Sequence, residues 1–195
     1  GSVDGIDALL RAIAPYRKRD PLDETECEHL ENIFDALAAT LLNGRKIILQ
    51  SFVDLQGIEL MLRLLSSKGH AGSGALRVLN FCLSGAELSD EGDLLNGADS
   101  AGQLDSKDRG NCSLEMACAH FLDAGGLKLL FPILMGTSLP KPATCTDAGR
   151  NVPSTTASRS NNLKKVKTVK HAKKEWANQV KMNVIYILYA LSRYL

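Results

Sequence analysis

The class of fold is decided by one short stretch, Gly57-Ile58-Glu59-Leu60-Met61-Leu62-Arg63-Leu64-Leu65. The same pattern occurs twice more, as Gly5-Ile6-Asp7-Ala8-Leu9-Leu10-Arg11-Ala12-Ile13 and as Gly126-Leu127-Lys128-Leu129-Leu130-Phe131-Pro132-Ile133-Leu134. In each copy a glycine precedes apolar side chains at positions i, i+3, i+4 and i+7, which form one stripe on a helix. The stripes are Ile6/Leu9/Leu10/Ile13, Ile58/Met61/Leu62/Leu65 and Leu127/Leu130/Phe131/Leu134. The pattern therefore predicts three equivalent amphipathic helices.

The spacing of the three copies predicts a repeat protein with insertions. Their glycines are 52 and then 69 residues apart, whereas armadillo and HEAT units take about 40 to 47 residues. The excess falls in an acidic segment, residues 86–112, and in a segment rich in Pro, Ser and Thr, residues 136–162. Neither segment has enough apolar residues to offset the entropy of ordering, so we expect two mobile loops that a short linker could replace.

Further apolar periodicity completes an all-helical prediction. We predict helices at 5–16, 25–42, 54–67, 74–84, 113–122, 125–135 and 172–195, with a short helical turn at 45–52, and no segment alternates as a strand would. Asp23, with Glu26 three residues later, predicts the N-cap of the second helix. Residues 1–2 read as the scar of an expression tag, which leaves 3–195 as the folded domain.

Composition and motifs argue against several classes of protein. A net charge of +1 gives no strong field toward nucleic acid or a membrane surface. Five scattered cysteines favour a reducing intracellular compartment over a disulfide framework. The chain has no Gly-x-Ser-x-Gly elbow, phosphate loop or His-Glu-x-x-His motif, and Cys112, Cys118 and His120 lack structural zinc spacing. We therefore expect no enzyme, no cofactor and no metal.

Two sets of residues are candidates for binding. The first consists of charged residues that point away from the apolar stripes: Asp7, Arg11, Glu59, Arg63 and Lys128. The alternative interpretation is that these are ordinary solvated helix positions with no role in binding. Four apolar residues also lie off the main stripes, and we favour core packing over a groove floor for them: Leu60, Leu64, Leu129 and Ile133.

The second set is a basic run that precedes the last helix: Lys164, Lys165, Lys167, Lys170, Lys173 and Lys174. Three interpretations compete, namely a solvated helix entrance, a localisation-like signal or occupant of the groove, and an RNA-contacting patch. We favour the first, because blocks of like charge usually repel and stay solvated. Nucleic-acid binding generally adds aromatic side chains for stacking, and none is interleaved before Trp176.

An ordered set of short runs resembles the central armadillo region of the beta-catenin-like family. The runs are Val3-Asp4-Gly5-Ile6-Asp7, Glu31-Asn32-Ile33-Phe34-Asp35-Ala36-Leu37, Gly57-Ile58-Glu59-Leu60-Met61, Ala75-Leu76-Arg77-Val78-Leu79, Gly126-Leu127-Lys128-Leu129-Leu130-Phe131-Pro132 and Lys164-Lys165-Val166. The resemblance covers roughly 3–85, 117–135 and 163–195, and the two insertions depart from it. It implies an armadillo/HEAT-type right-handed superhelical solenoid, here a partial array whose ends fall inside repeats.

The same resemblance implies a function. We expect a non-enzymatic, nuclear protein–protein interaction scaffold of the pre-mRNA splicing machinery, which binds basic, localisation-signal-like segments of its partners in an armadillo groove. The alternatives are an RNA-binding helical repeat that uses the basic run and a transport adaptor resembling importin-alpha. The absence of tryptophan from the glycine-led helices weakens the second alternative. We also expect self-association through the ends of the array, because a repeat buries its apolar face only against its neighbours.

Overall fold

The described part of the chain is entirely helical. A computed structural model describes residues 2–42, 46–84, 108–142 and 159–193, and gives side chains for 4–42, 47–84, 114–142 and 173–193. Within these ranges the elements are α1 (Ser2–Ile13) with a 3-10 turn (Ala14–Arg17), α2 (Glu24–Leu42), α3 (Lys46–Asp54), α4 (Gly57–Ser66), α5 (Ala71–Ser84), α6 (Asp108–Asp123), α7 (Gly126–Leu134) and α8 (Arg159–Ser192). The all-α prediction is confirmed for these residues.

Helix α2 begins where the sequence predicts a cap. The carboxylate of Asp23 accepts a hydrogen bond from the backbone N–H of Glu26 at 2.7 Å, which satisfies one of the amide groups that a helix start leaves unpaired. Glu26 in turn accepts the backbone N–H of Leu22 at 2.7 Å. The reciprocal bond therefore reaches one residue further back than in the usual capping box.

The turns before α4 and α7 have the same geometry. Gln56 and Gly125 both adopt the left-handed conformation, with φ of 59° and 77°. The next residue in each case is a helix-opening glycine that lies against a phenylalanine five positions earlier. A Cβ placed on Gly57 would come within 2.4 Å of the Phe52 ring, and one on Gly126 within 2.2 Å of the Phe121 ring.

The helices stack in three rows. In the first row α2 contacts α5, which contacts α8; in the second α3 contacts α6. In the third row α4 contacts α7, and the 3-10 turn after α1 also contacts α4. Successive helices α2, α3 and α4 thus form one three-helix unit, and α5, α6 and α7 form the next. Their apolar stripes meet in one continuous core, which contains Phe34, Phe52 and Phe121 as fully buried rings.

Several predicted helix boundaries are wrong by a few residues. The helix predicted at 54–67 begins at Gly57, because Asp54 ends α3 and the left-handed turn at Gln56 separates the two. Helix α5 begins at Ala71, three residues before the prediction. Its first turn contains Gly72 and Gly74, and glycine has low helix propensity, so the sequence did not predict a helix there. Tertiary packing rather than helix propensity stabilises this turn.

The insertion boundaries also differ from the prediction. Helix α6 begins at Asp108, so residues 108–112 are helical and only 85–107 separate α5 from α6. Helix α8 begins at Arg159, so residues 159–162 also lie in a helix. The first turns of α6 and α8 carry no apolar stripe, and the prediction of helices depended on such a stripe. The predicted mobility of the remaining residues, 86–107 and 143–158, falls outside the described part of the chain.

The second insertion starts with an ordered strap, residues 137–142, that packs against the start of α5. Pro140 is buried over Gly72. The ammonium of Lys141 is 2.5 Å from a carboxylate oxygen of Asp20, and His70 Nδ1 donates to the carbonyl of Pro142 at 2.9 Å. Residues 137–142 therefore pack against the folded helices, whereas the sequence predicted that they belong to a mobile loop.

Candidate protein-binding face

The predicted binding positions lie on α1, α4 and α7, of which α4 and α7 form the third row. On α1, Arg11 donates from Nε to the carboxylate of Asp7 at 2.7 Å, one helical turn apart. Asp7 is half-buried and Arg11 is exposed. Such a pair contributes only a few tenths of a kcal/mol to an exposed helix. Because the two charges offset each other, this end of the face presents no strong field.

Glu59 has the least usual environment of the predicted positions. Its side chain is half-buried, and one carboxylate oxygen lies 3.9 Å from Nδ1 of His120 on the neighbouring helix α6. The other oxygen, Oε2, is buried and has no hydrogen-bond partner. A buried carboxylate oxygen without a donor costs free energy, so the fold holds Glu59 at some cost in stability.

Arg63 and Lys128 supply exposed positive charge on α4 and α7. Within the described residues neither has an ion-pair partner among the salt bridges of the fold. The five predicted positions therefore comprise one internally paired couple, one carboxylate near a histidine and two free cations.

Phe131 does not belong to the core stripe in which the sequence placed it. It is 52% exposed, and Met135, one turn further along, is 75% exposed. Both lie on the same side of the helix as Lys128. Helix α7 is apolar around most of its circumference, so periodicity alone could not identify the buried side. The outward side of α7 thus combines a cation with two large apolar side chains, which the sequence reasoning missed.

The four off-stripe apolar residues behave largely as core. Leu64 and Ile133 are almost completely buried, whereas Leu60 and Leu129 are partly buried and packed against the core. The preference for core over groove floor is confirmed for Leu64 and Ile133.

The basic run lies within α8 rather than ahead of it. Lys173 and Lys174 are exposed, and the side chains of Lys164, Lys165, Lys167 and Lys170 lie outside the described residues. Trp176 follows the run and packs partly against the core. The interpretation of the run as a helix entrance is wrong in its placement, because the helix already begins at Arg159.

The described thiols are poorly suited to nucleophilic chemistry. Burial, with a smaller contribution from nearby Glu115, raises the pKa of Cys118 to about 11. Burial also raises the pKa of Cys82 well above its usual range. Both stay protonated at neutral pH, and the thiol is a weak nucleophile and metal ligand. No group of three or more metal-ligating side chains occurs among the residues that the structure describes.

Cys27 departs from the expectation of reduced cysteines. It is disulfide-bonded and buried at the start of α2, whereas Cys82 and Cys118 are free. The scattered spacing of the five cysteines gave no signal for this bond, because distant residues can pair only once the fold brings them together.

The length and apolar content of the described helices can be compared with what a bilayer requires. No single one is long and apolar enough to cross a bilayer. Leu114–Asp123 and Gly126–Leu134 together reach the required length and composition, but they meet at a bend of 79°. Both contribute side chains to the core.

The described helices pack in repeating rows, which is the arrangement expected of a helical repeat protein. Residues 1–94 match the family described as "Catenin-beta-like, Arm-motif containing nuclear". The chain therefore resembles this nuclear, catenin-beta-like family over 94 of its 195 residues, and the resemblance predicted from the sequence is confirmed together with the nuclear assignment.

Individual relatives agree with the family match. The chain is 30% identical over 139 residues to the Beta-catenin-like protein 1 homolog of Schizosaccharomyces pombe, which covers 70% of this chain and 19% of that protein. It is 30% identical over 135 residues to Beta-catenin-like protein 1 of Rattus norvegicus and 28% identical to that of Homo sapiens, each over 69% of this chain and 19% of the relative. The matched region thus spans about a fifth of the length of these relatives.

Proposed function

We propose that this chain is a protein-binding scaffold module of the nuclear pre-mRNA splicing machinery, built as a right-handed superhelical armadillo array. The observation that carries the proposal is the three-row stacking, in which α2/α5/α8 and α3/α6 pack on one another while the third row keeps charged side chains exposed. Arrays of this kind use one face of the stacked helices to bind extended partners. The match to an Arm-motif-containing nuclear family supports the same function.

The binding surface in this proposal is the third-row face, defined by Asp7, Arg11, Glu59, Arg63 and Lys128 with the apolar Phe131. The resemblance to beta-catenin-like proteins implies a basic partner segment. Glu59 supports this, because its side chain is only partly buried and its carboxylate can pair with a lysine or arginine of the partner. Arg63 and Lys128 oppose it by repulsion, so they would limit the affinity for a basic segment rather than create it.

The sign of the partner's charge can be measured directly. Fluorescence anisotropy with a labelled lysine- and arginine-rich peptide, and with an acidic peptide of equal length, would compare the wild type with Arg63→Glu and Lys128→Glu. For a basic partner each reversal should tighten binding about threefold to tenfold, since a nearby exposed charge pair is worth up to about 1 kcal/mol. Glu59→Gln should weaken the binding of the basic peptide.

A matched control adds the same charge elsewhere. Thr25→Glu combined with Asn32→Glu places two negative charges on exposed positions of α2, in the first row, and should leave the affinity nearly unchanged. If neither peptide binds, or if all variants change the affinity equally, the third-row face is not the binding surface. For the splicing role, splicing subunits recovered from nuclear extract with the full-length protein should be lost with Glu59→Gln and retained with the control.

A further inference from the structure

Helix α8 carries two apolar stripes on opposite sides. One is buried against the core and consists of Val180, Val184, Ile187 and Leu191. The other is between 42% and 60% exposed and consists of Met182, Ile185, Tyr186 and Tyr189. At 100° per residue the centres of the two stripes lie about 180° apart. Contacts of α8 with α5 and α7 account for the buried stripe, and the exposed one is left largely uncovered by the elements that the structure describes.

The position of α8 in the first row indicates what kind of element fits there. In this row α2 packs on α5, and α5 packs on α8. The exposed stripe of α8 lies on the side away from this packing, so another helix can stack there as α8 stacks on α5. Two tyrosines with partly exposed rings suit such a contact, because they bury a large apolar area while their hydroxyl groups reach solvent at the edge.

Charges at the two ends of the stripe are self-complementary. Glu175 and Arg193 are both exposed and are 18 residues apart, which is five full turns and about 27 Å of helix. They therefore lie on the same side of α8 as the exposed stripe. If a second α8 packs antiparallel, Glu175 of each copy meets Arg193 of the other. Glu175 and Arg193 each also make an interaction within their own chain. The ion pair with the second copy would form in addition to that interaction.

We propose that the exposed stripe of α8 is a docking surface for the α8 of a second copy of this chain, packed antiparallel about a two-fold axis. Pairing Glu175 with Arg193 places the two-fold axis at the height of Val184 along the helix, with Ile185 next to it on the exposed side. Met182 then faces Tyr186 of the second copy, and the contact is isologous, with the same residues used on both sides. This surface is separate from the third-row face, so the proposal does not depend on the proposed function.

The oligomeric state of the chain tests the docking surface. Sedimentation equilibrium between about 1 and 200 µM should show a reversible monomer–dimer equilibrium. Ile185→Lys and Tyr189→Glu should each weaken the dimer at least tenfold, because each places a charge in an apolar contact. Leu22→Glu is the matched control, since Leu22 is 85% exposed and lies before α2; it should leave the dimer unchanged.

Charge exchange tests the antiparallel arrangement. Glu175→Arg and Arg193→Glu should each weaken the dimer about tenfold, because two ion pairs per dimer become repulsive. The double variant restores both pairs with opposite polarity and should recover most of the affinity, while circular dichroism checks that the fold is kept. A chain that stays monomeric at all concentrations would overturn the proposal. So would a dimer that the double variant fails to restore, or one that Leu22→Glu weakens as strongly as Tyr189→Glu.

Discussion

At the scale of single residues, aromatic rings determine why α4 and α7 open with glycine. Phe52 and Phe121 lie in the last turn of the preceding helices and pack across the backbone of Gly57 and Gly126. The chain reverses through a left-handed residue between ring and glycine, so the ring reaches the helix start five positions later. The closeness of this contact leaves no room for a side chain on either glycine.

The first prediction concerns these glycines. Gly126→Ala should destabilise the fold by about 1–3 kcal/mol, because its Cβ would lie 2.2 Å from the Phe121 ring and core overpacking costs this much. Gly5→Ala is the control, since no atom lies within 4 Å of its Cβ. It should stabilise α1 by about 0.5–1 kcal/mol through helix propensity. Urea unfolding of both variants provides the measurement, and equal destabilisation would contradict the ring contact.

The sequence pattern identified these glycines but did not explain why glycine is required there. The recurrence of Gly5, Gly57 and Gly126 with apolar stripes was visible, but the contact with Phe52 and Phe121 depends on the turn between them. Phe131 shows the opposite limit. Its position fits the helical period, yet it is exposed, because a helix that is apolar almost all round does not reveal which side its neighbours cover.

At the scale of elements, the entry to α2 is organised around one carboxylate. Glu26 accepts hydrogen bonds from Arg19 at 2.6 Å, from the hydroxyl of Tyr16 at 2.9 Å and from the backbone N–H of Leu22. Arg19 also lies 5.0 Å from the centre of the Tyr16 ring. These contacts hold the segment between α1 and α2, and the hydrogen bond from Arg19 is the largest cause that lowers the pKa of Glu26 to about 2.

The second prediction is a pH dependence that follows from this cap. The pKa of Glu26 is lower in the folded state than its ordinary value of 4.5, so the ionised form is favoured by folding. Its contribution to stability is therefore complete above about pH 4.5 and is lost as the pH falls toward 2. Glu26→Gln should lower the melting temperature at pH 7 and reduce the loss between pH 4.5 and 2. Thermal melts of Glu28→Gln, an exposed neighbour, provide the comparison.

An unchanged pH profile in Glu26→Gln would contradict the cap. The sequence predicted this element well, because Asp23 and Glu26 have the spacing of a capping box. The roles of Tyr16 and Arg19 were not predictable from that motif. They depend on the 3-10 turn at Ala14–Arg17, which brings α1 back toward the start of α2.

The start of α8 shows why some elements escaped prediction. Its first two turns are rich in Lys and Asn and carry little apolar periodicity. Lysine has good helix propensity, but the prediction required a buried stripe and therefore began the helix at residue 172. Strongly striped elements such as α2 were placed within one residue.

At the scale of the whole molecule, two repeating units and their flanking helices share a single core. The spacing between equivalent helices is 47 residues from the start of α2 to that of α5 and 69 residues from α4 to α7. The shorter value agrees with an armadillo unit. Most of the difference lies in residues 85–107, between α5 and α6. The sequence could therefore predict the repeat and locate the insertion, but the row to which each helix belongs required its tertiary contacts.

The third prediction separates the two insertions. Replacing residues 86–107 by Gly/Ser of equal length should shift the melting temperature by no more than a few degrees, since no described core residue is removed. Replacing residues 137–158 in the same way should cost about 1–3 kcal/mol, because it removes the side chains of Pro140 and Lys141 and no longer fixes the backbone carbonyl at position 142 beside His70. Calorimetry of both variants is the test. A larger loss from the first replacement would show that it packs.

The Asp20 carboxylate, finally, bears on how the array comes apart. It accepts Lys141, 121 residues away, and the backbone N–H of His70, 50 residues away. Burial alone would raise the pKa of Asp20, but these hydrogen bonds lower it overall, so the clamp is charged at neutral pH. Repeat arrays usually fray from one end, because each unit touches only the next. The ion pair and hydrogen bond of Asp20 link the entry of the first unit to the segment after the second, so the two units should open together. The most protected amides of both units should then show the same free energy of opening in hydrogen exchange.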